Sequence, residues 1–356
     1  MRLAIIAALS AWVFLLSPPD QAPAWELLEA SPFHSTRHDD LYFIHPDTGW
    51  TINLQGEVYQ TVDGGQSWGY HQTGVSGLRS IGFADSQRGW IGVLGGETLL
   101  LETTDGGQSW HDITARLGDD IGFGICGIHV LDDKHIVAVG HYSQGAHVYR
   151  SEDGGQTWTT TNLAPLATTL VDAYFFDAQH GIIVGGGDGD LYRRGRAVVL
   201  RTTNGGETWE RVFTSSDVGE WAWKISFPAP DTGYVSVEQG DDLARRRIGK
   251  VLKTTDGGQS WTEQAVPGAL PLQGIGFIDA NTGWVSGRGT DHVTTDGGET
   301  WMRGTALLPR PEGYVITSPD WREQAQTDGW VNHFRFLGDS VAYAAGRRIY
   351  KLDLRD

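Results

Sequence analysis

The chain has 356 residues, among them 49 glycines, 15 tryptophans and one cysteine, and its formal net charge is −17 at pH 7. Apolar residues at 39% and aromatics at 11% exclude a disordered chain, and the glycines follow no G-X-Y period, which excludes collagen. The acidic balance argues against nucleic acid as a partner, and one cysteine makes neither an internal disulfide nor a Cys-based zinc site.

From the N-terminus, Met1-Arg2 is followed by an apolar run from Leu3 to Leu16 and then by Ala22-Pro23-Ala24. The run is too short to cross a bilayer comfortably, and its order fits a secretory signal peptide ending at Ala24. The expected mature protein is exported, to the periplasm or the medium. No cysteine follows the run, so lipid attachment there is not expected. An uncleaved N-terminal anchor is the alternative.

An eight-residue box, Ser/Thr-x-Asp/Asn-Gly-Gly-Gln/Glu-Ser/Thr-Trp, then recurs six times. The boxes are centred on Asp63, Asp105, Asp153, Asn204, Asp256 and Asp296, and end on Trp68, Trp110, Trp158, Trp209, Trp261 and Trp301. A second element precedes each box: an aromatic or aliphatic residue, an acidic turn, then Gly and often Trp. Phe43 to Trp50, Phe83 to Trp90 and Phe277 to Trp284 are full copies, and Phe336 to Gly346 is a seventh with no box after it. Successive box tryptophans lie 40 to 52 residues apart, the length of one four-stranded propeller blade. The 332 residues from Trp25 onward accommodate seven such units at about 47 residues each.

The pattern predicts an all-β, seven-bladed β-propeller of four-stranded antiparallel blades, a single domain over residues 25–356. In the second blade strand A reads as Leu78–Phe83, B as Gly89–Val93, C as Leu99–Thr103 and D as Trp110–Thr114. The last unit lacks a fourth strand, and Trp25–Glu29 resembles the strand that follows each box. That N-terminal strand is expected to complete blade seven and close the ring, leaving no free sheet edge.

The box reads as the C–D hairpin. Gly-Gly supplies the positive φ angles of a tight turn, and the Asp carboxylate and the Ser/Thr hydroxyl accept turn amides. Asn204 replaces Asp because the role is to accept a hydrogen bond. Six evenly spaced acids point to a repeated turn rather than to one catalytic or calcium site.

These motifs identify the Asp-box, or BNR repeat. The whole chain from Trp25, with its Phe-x-Asp…Gly-Trp elements, resembles the photosystem II stability/assembly factor family of seven-bladed propellers. The resemblance implies an exported, non-enzymatic assembly factor with a protein client of the cell envelope or membrane and no cofactor. Sialidases, some endoglucanases and sortilin-type receptors share Asp-boxes, so a carbohydrate-active hydrolase is the alternative. The sialidase Arg-Ile/Leu-Pro signature is missing, since Arg37 is the only arginine between Trp25 and the first box, and no motif marks the carboxyl pair that glycoside hydrolysis requires.

Alternating strand direction puts A–B turns and boxes on one face, and B–C turns and D–A links on the other. The interruptions of the repeat fall on this second, loop face. Arg193, Arg194 and Arg196 lie in the B–C link of blade four, and Arg245, Arg246 and Arg247 in that of blade five. Of the tryptophans, Trp221, Trp223, Trp321 and Trp330 are the four that the repeat does not explain, and the reading assigns them to links on the same face. Arg with Trp is the composition of interface hot spots. The alternative is that the arginines pair with Asp188, Asp190, Asp241 and Asp242 in their own loops. Aligning the blades on Phe83 places Asp39, Arg79, Cys126, Val171, Trp223, Gln273 and Asn332 at the channel mouth, with no ring of one chemistry and no metal site. Asp188-Gly-Asp190 reads as a turn rather than a calcium loop, and Cys126 as a buried small side chain rather than a nucleophile.

Overall fold

Seven times the chain lays down an apolar strand ending on Phe or a substitute, turns at an acidic residue, and returns through a second strand, led by Gly in five blades and by Ile136 and Val341 in blades three and seven. In the computed structural model each such pair grows into a four-stranded antiparallel sheet. The structure describes residues 25–35, 37–140, 145–187, 195–240, 248–269, 271–287, 290–303 and 331–355. Strands A and B of blade two are Leu78–Phe83 and Gly89–Val93, as expected. Strand C is Leu100–Thr103, and strand D shrinks to His111–Asp112 because Thr114–Leu117 winds into a 3-10 turn.

Blade seven contributes His333–Leu337, Val341–Ala345 and Ile349–Asp353, and its outer strand is Glu26–Leu27. Glu26 pairs with Lys351 and Leu27 with Tyr350, so the two ends of the chain share one sheet. The pairing covers two residues rather than the five expected. Side chains reinforce it: Trp25 is buried edge-on against Trp284, Phe334 and Phe336, with ring centroids at 5.6, 5.4 and 6.4 Å.

The second element proves to be the cement between blades. Trp50 of blade one stacks on Phe83 of blade two at 3.6 Å, and its indole N–H donates to the carbonyl of Gly106 in blade two's box at 3.0 Å. Tyr234 stacks on Phe277, and Tyr343 on Phe43, each at 3.6 Å. The box tryptophan meets the same Phe edge-on from the other side, as Trp110 does Phe83 at 6.0 Å. The Gly before these aromatics has a steric reason: a Cβ on Gly89 would stand 2.6 Å from the Phe83 ring.

Five of the six boxes are closed by a carboxylate and the fourth by the Asn204 amide. Asp63 Oδ1 accepts from the Thr61 hydroxyl at 2.8 Å and the Ser67 amide at 2.9 Å, while Oδ2 accepts from the Ser67 hydroxyl at 2.6 Å. Gly64 and Gly65 both take positive φ. At Asn204, Oδ1 accepts from Thr202 and from the Thr208 amide, and Nδ2 donates back to the Thr208 hydroxyl at 2.9 Å. The amide thus keeps every link by reversing one donor, as the sequence suggested.

These bonds to the ionised form hold Asp63, Asp105 and Asp153 down to about 2, the side-chain bonds from Ser67, Ser109 and Thr157 being the leading causes. A depressed carboxylate stabilises the fold above its unfolded pKa and loses that contribution as pH falls through the folded one. Acid titration is therefore expected to weaken the propeller between about pH 4 and pH 2. Changing Asp63, Asp105 and Asp153 together to Asn should flatten that part of the urea-midpoint profile. An unaltered acid limb in the triple variant would contradict the assignment.

Candidate functional site at the channel mouth

Strand A of each blade lines the axis, running from the loop face toward the box face. In blades two, four, five and six the A–B register slips, at Arg79, Val171, Trp223 with Lys224, and Gln273 respectively. A bulge leaves a residue out of the ladder and re-aims its side chain. Arg79, Val171, Trp223 and Gln273 are four of the seven positions that alignment on Phe83 sets at the mouth. The alignment gave their place, but nothing in it announced the bulges.

The mouth is crossed by a polar network. Asp39 is buried, and its Oδ1 accepts from Arg79 at 2.8 Å and from Arg37 Nε and Nη2 at 3.2 and 3.1 Å. Arg37 also reaches Gln273, which donates to Glu238 at 2.6 Å. Burial pulls the Arg37 pKa down, with Asp39 working against it. The Arg79 guanidinium sits 4.8 Å above the Trp223 ring. Trp223 donates its indole N–H to Asn332 at 2.9 Å, and Asn332 donates to the Asp39 carbonyl at 2.5 Å. Blades one, two, five, six and seven are tied together here.

One layer deeper, Asp40 accepts from His333 and from the Ile81 amide at 2.9 Å. Burial alone would raise Asp40, but the charges of His333 and Lys224 outweigh it and hold the carboxyl at about 2. Lys224 pairs with Asp172 at 3.7 Å.

A second knot anchors the D–A link between blades four and five. Lys250 Nζ lies 2.9 Å from Glu220, 3.1 Å from Glu263 and 3.2 Å from Asp217. Glu220 is fully buried, and its other donor is Gln239 at 2.9 Å. Glu263 accepts from both the amide and the hydroxyl of Ser216. No local pattern marks this knot, because its four members are spread over strands A, C and D and one link.

The sequence-predicted residues separate into three groups. Arg193, Arg194, Arg245, Arg246, Arg247, Trp321 and Trp330 lie outside the described residues. The expected pairing partners Asp188, Asp190, Asp241 and Asp242 lie outside them too. Trp221 and Trp223 are placed differently from the expectation: both lie within strand A of blade five (Glu220–Ser226) and are buried, 2% and 4% exposed, packed with Val171. Their excess over the repeat points to a link, but the two rings instead form an apolar cluster with Val171 inside the ring of blades. Arg79 is buried in the mouth network. Arg196 opens strand C of blade four and donates to the carbonyls of Ser215 and Ser216 at 2.7 and 2.5 Å, which fixes the adjacent link. Cys126 is buried, as expected.

Residues 18–160 match the family described as photosynthesis system II assembly factor YCF48. The photosystem II assembly lipoprotein Ycf48 of Synechococcus sp. (strain CC9902) is 26% identical over 245 residues, covering 68% of this chain and 66% of that protein. The chain therefore spans just under two thirds of that relative's length. The solved structure of YCF48 bound to D1 peptide superposes with a TM-score of 0.63 at 19% identity, over 96% of this chain and 100% of that one. An ancestral GH74 enzyme gives a TM-score of 0.62 at 14% identity, over 93% of this chain and 46% of that one. At such identities the two structures share the fold alone. Taken with the boxes and the seven blades, the chain is an Asp-box (BNR) propeller resembling the photosystem II stability/assembly factors.

Proposed function

We propose that the protein is an exported, non-enzymatic assembly-factor-like propeller that holds a protein client on its loop face. The observation that carries the reading is the likeness to the Ycf48 proteins in sequence, together with the same seven-bladed fold. One such protein has been solved with a D1 peptide, and relatives are named lipoproteins, which supports a client in or near a membrane. The signal-like segment ending at Ala24 supports export.

The client-facing residues in this reading are Arg193, Arg194, Arg245, Arg246 and Arg247, with Trp321 and Trp330. The guanidinium fork suits carboxylates on the client. In this reading Trp221, Trp223, Arg79 and Arg196 stiffen the loop-face scaffold rather than touch the client. The GH74 likeness, being one of fold, lends the hydrolase alternative no residue.

The experiment replaces Arg193, Arg194, Arg245, Arg246 and Arg247 with Ala and compares affinity capture from solubilised membranes of the source cells. Loss of the specific wild-type partner with an unchanged melting midpoint is expected. Equal recovery would remove the arginine surface from the reading. Hydrolysis of a glycan panel by the pure protein, abolished by changing one carboxylate, would replace the reading with the enzyme alternative.

A further inference from the structure

The opposite end of the channel, on the box face, holds a cation that the fold does not neutralise. Arg335 lies in strand A of blade seven (His333–Leu337), one residue before Phe336. Its guanidinium rests 4.2 Å from the centre of the Tyr42 ring. Among the described residues its only hydrogen bond runs from Nε to the Phe43 carbonyl at 3.4 Å, and it makes no ion pair there. The axial arginines of the other end, Arg37 and Arg79, share Asp39. Both Nη groups of Arg335 therefore remain open.

His129 and Tyr174 hold the same place in strand A of blades three and four as Arg335 does in blade seven, lie within electrostatic reach of it, and have rings 5.3 Å apart. Burial first, and the charge of Arg335 second, hold His129 down to about 4, so it is a neutral imidazole at neutral pH, donating to the Phe175 backbone. Burial raises the Tyr174 phenol while Arg335 opposes it. The hydroxyls of Tyr42 and Tyr174 have no hydrogen-bond partner among the described residues. Tyr174 stands on Phe227 and Phe176 at 5.0 and 5.2 Å, so the wall behind it is aromatic. One open guanidinium fork, two open phenols and an aromatic wall thus converge, all half-buried and with no acid among them.

We propose that this end of the channel binds a small aromatic monocarboxylate, its carboxylate forked on Arg335 and its ring held among Tyr42, His129 and Tyr174. The fork geometry of a guanidinium matches a carboxylate with two parallel hydrogen bonds. A single charge is selected because the A–B turns around this entrance carry Asp47, Asp85, Asp177, Asp231, Asp279 and Asp339, and like charge repels a dianion more than a monoanion. The site lies at the other end of the axis from the client surface, so the two readings stand or fall separately.

The test uses benzoate as the probe and the whole protein. Calorimetric or ligand-observed NMR titration is expected to give a dissociation constant on the order of 1 mM. Arg335→Met should weaken it by about tenfold or more, whereas Arg303→Met, on the exposed outer strand of blade six, should leave it unchanged. Equal binding by wild type and Arg335→Met, loss through Arg303→Met, or no binding by wild type would each overturn the proposal. If Arg335→Met fails to fold, wild-type crystals soaked in 4-bromobenzoate decide: a bromine anomalous peak beside Tyr42 and Tyr174 supports the site, and a peak elsewhere or none rejects it.

Discussion

Trp25→Ala is expected to be among the most damaging single changes in the molecule, at about 3–5 kcal/mol, the usual cost of emptying a buried aromatic site. The closing strand contributes two paired residues, Glu26 and Leu27. The indole of Trp25 is only 5% exposed and makes three edge-on aromatic contacts within blades six and seven. Its N–H has no partner among the described residues, so there the ring acts through packing. Trp25→Phe should therefore recover much of the loss, and Trp25→Ala should lower the calorimetric midpoint well below that of Trp25→Phe. Identical midpoints for the two variants would mean that the ring is held shut by something other than this side chain.

The second large effect is expected at Lys250. Lys250→Met leaves Glu220 buried without its cation, beside Glu263, and removal of one partner from a buried pair costs about 3–5 kcal/mol. Burial lowers the Lys250 pKa, but Glu220 and Glu263 outweigh it and the net movement is upward. A base whose folded pKa is raised contributes below its unfolded value and loses the contribution as pH rises through the folded one. Glu263 moves the other way: burial raises it, and the Ser216 bonds and Lys250 bring it below the usual range. Its contribution is present at neutral pH and lost in acid. In Lys250→Met the uncompensated carboxylates can be relieved by protonation, so the difference in urea midpoint from wild type should be largest near about pH 7 and shrink toward about pH 4. A difference that stays constant over that range would show that the lysine acts by packing and not by charge.

The sequence revealed the fold through its redundancy. Six boxes fix six C–D hairpins, and the seventh Phe-x-x-Asp…Gly element leaves a blade one strand short, which Glu26–Leu27 supplies. Repetition exposes what every blade needs and conceals what one blade does alone. Arg79, Trp223 and Gln273 occupy ordinary-looking positions in ordinary-looking strands, because a bulge adds one residue without leaving a mark in a single sequence. The surplus of Trp221 and Trp223 was a true signal, but surplus alone does not distinguish a surface loop from a filled axis. The aligned spacing back from Phe227 already pointed to the axis for Trp223. The Lys250 knot and the open fork of Arg335 depend on contacts among distant residues, for which local pattern has no vocabulary.

A ring of repeats is ordinarily coupled only between neighbours, so a break at one joint lets it unwind blade by blade. The hub alters that expectation. Arg37 of blade one bonds Gln273 of blade six, Trp223 of blade five bonds Asn332 of blade seven, and Arg79 of blade two lies over Trp223. These bonds act as spokes, joining blades that do not touch along their faces. The circle is therefore fastened twice, once at the rim by Trp25 and once at the axle, and a protein that has lost the first fastening still has a wheel to be rebuilt on.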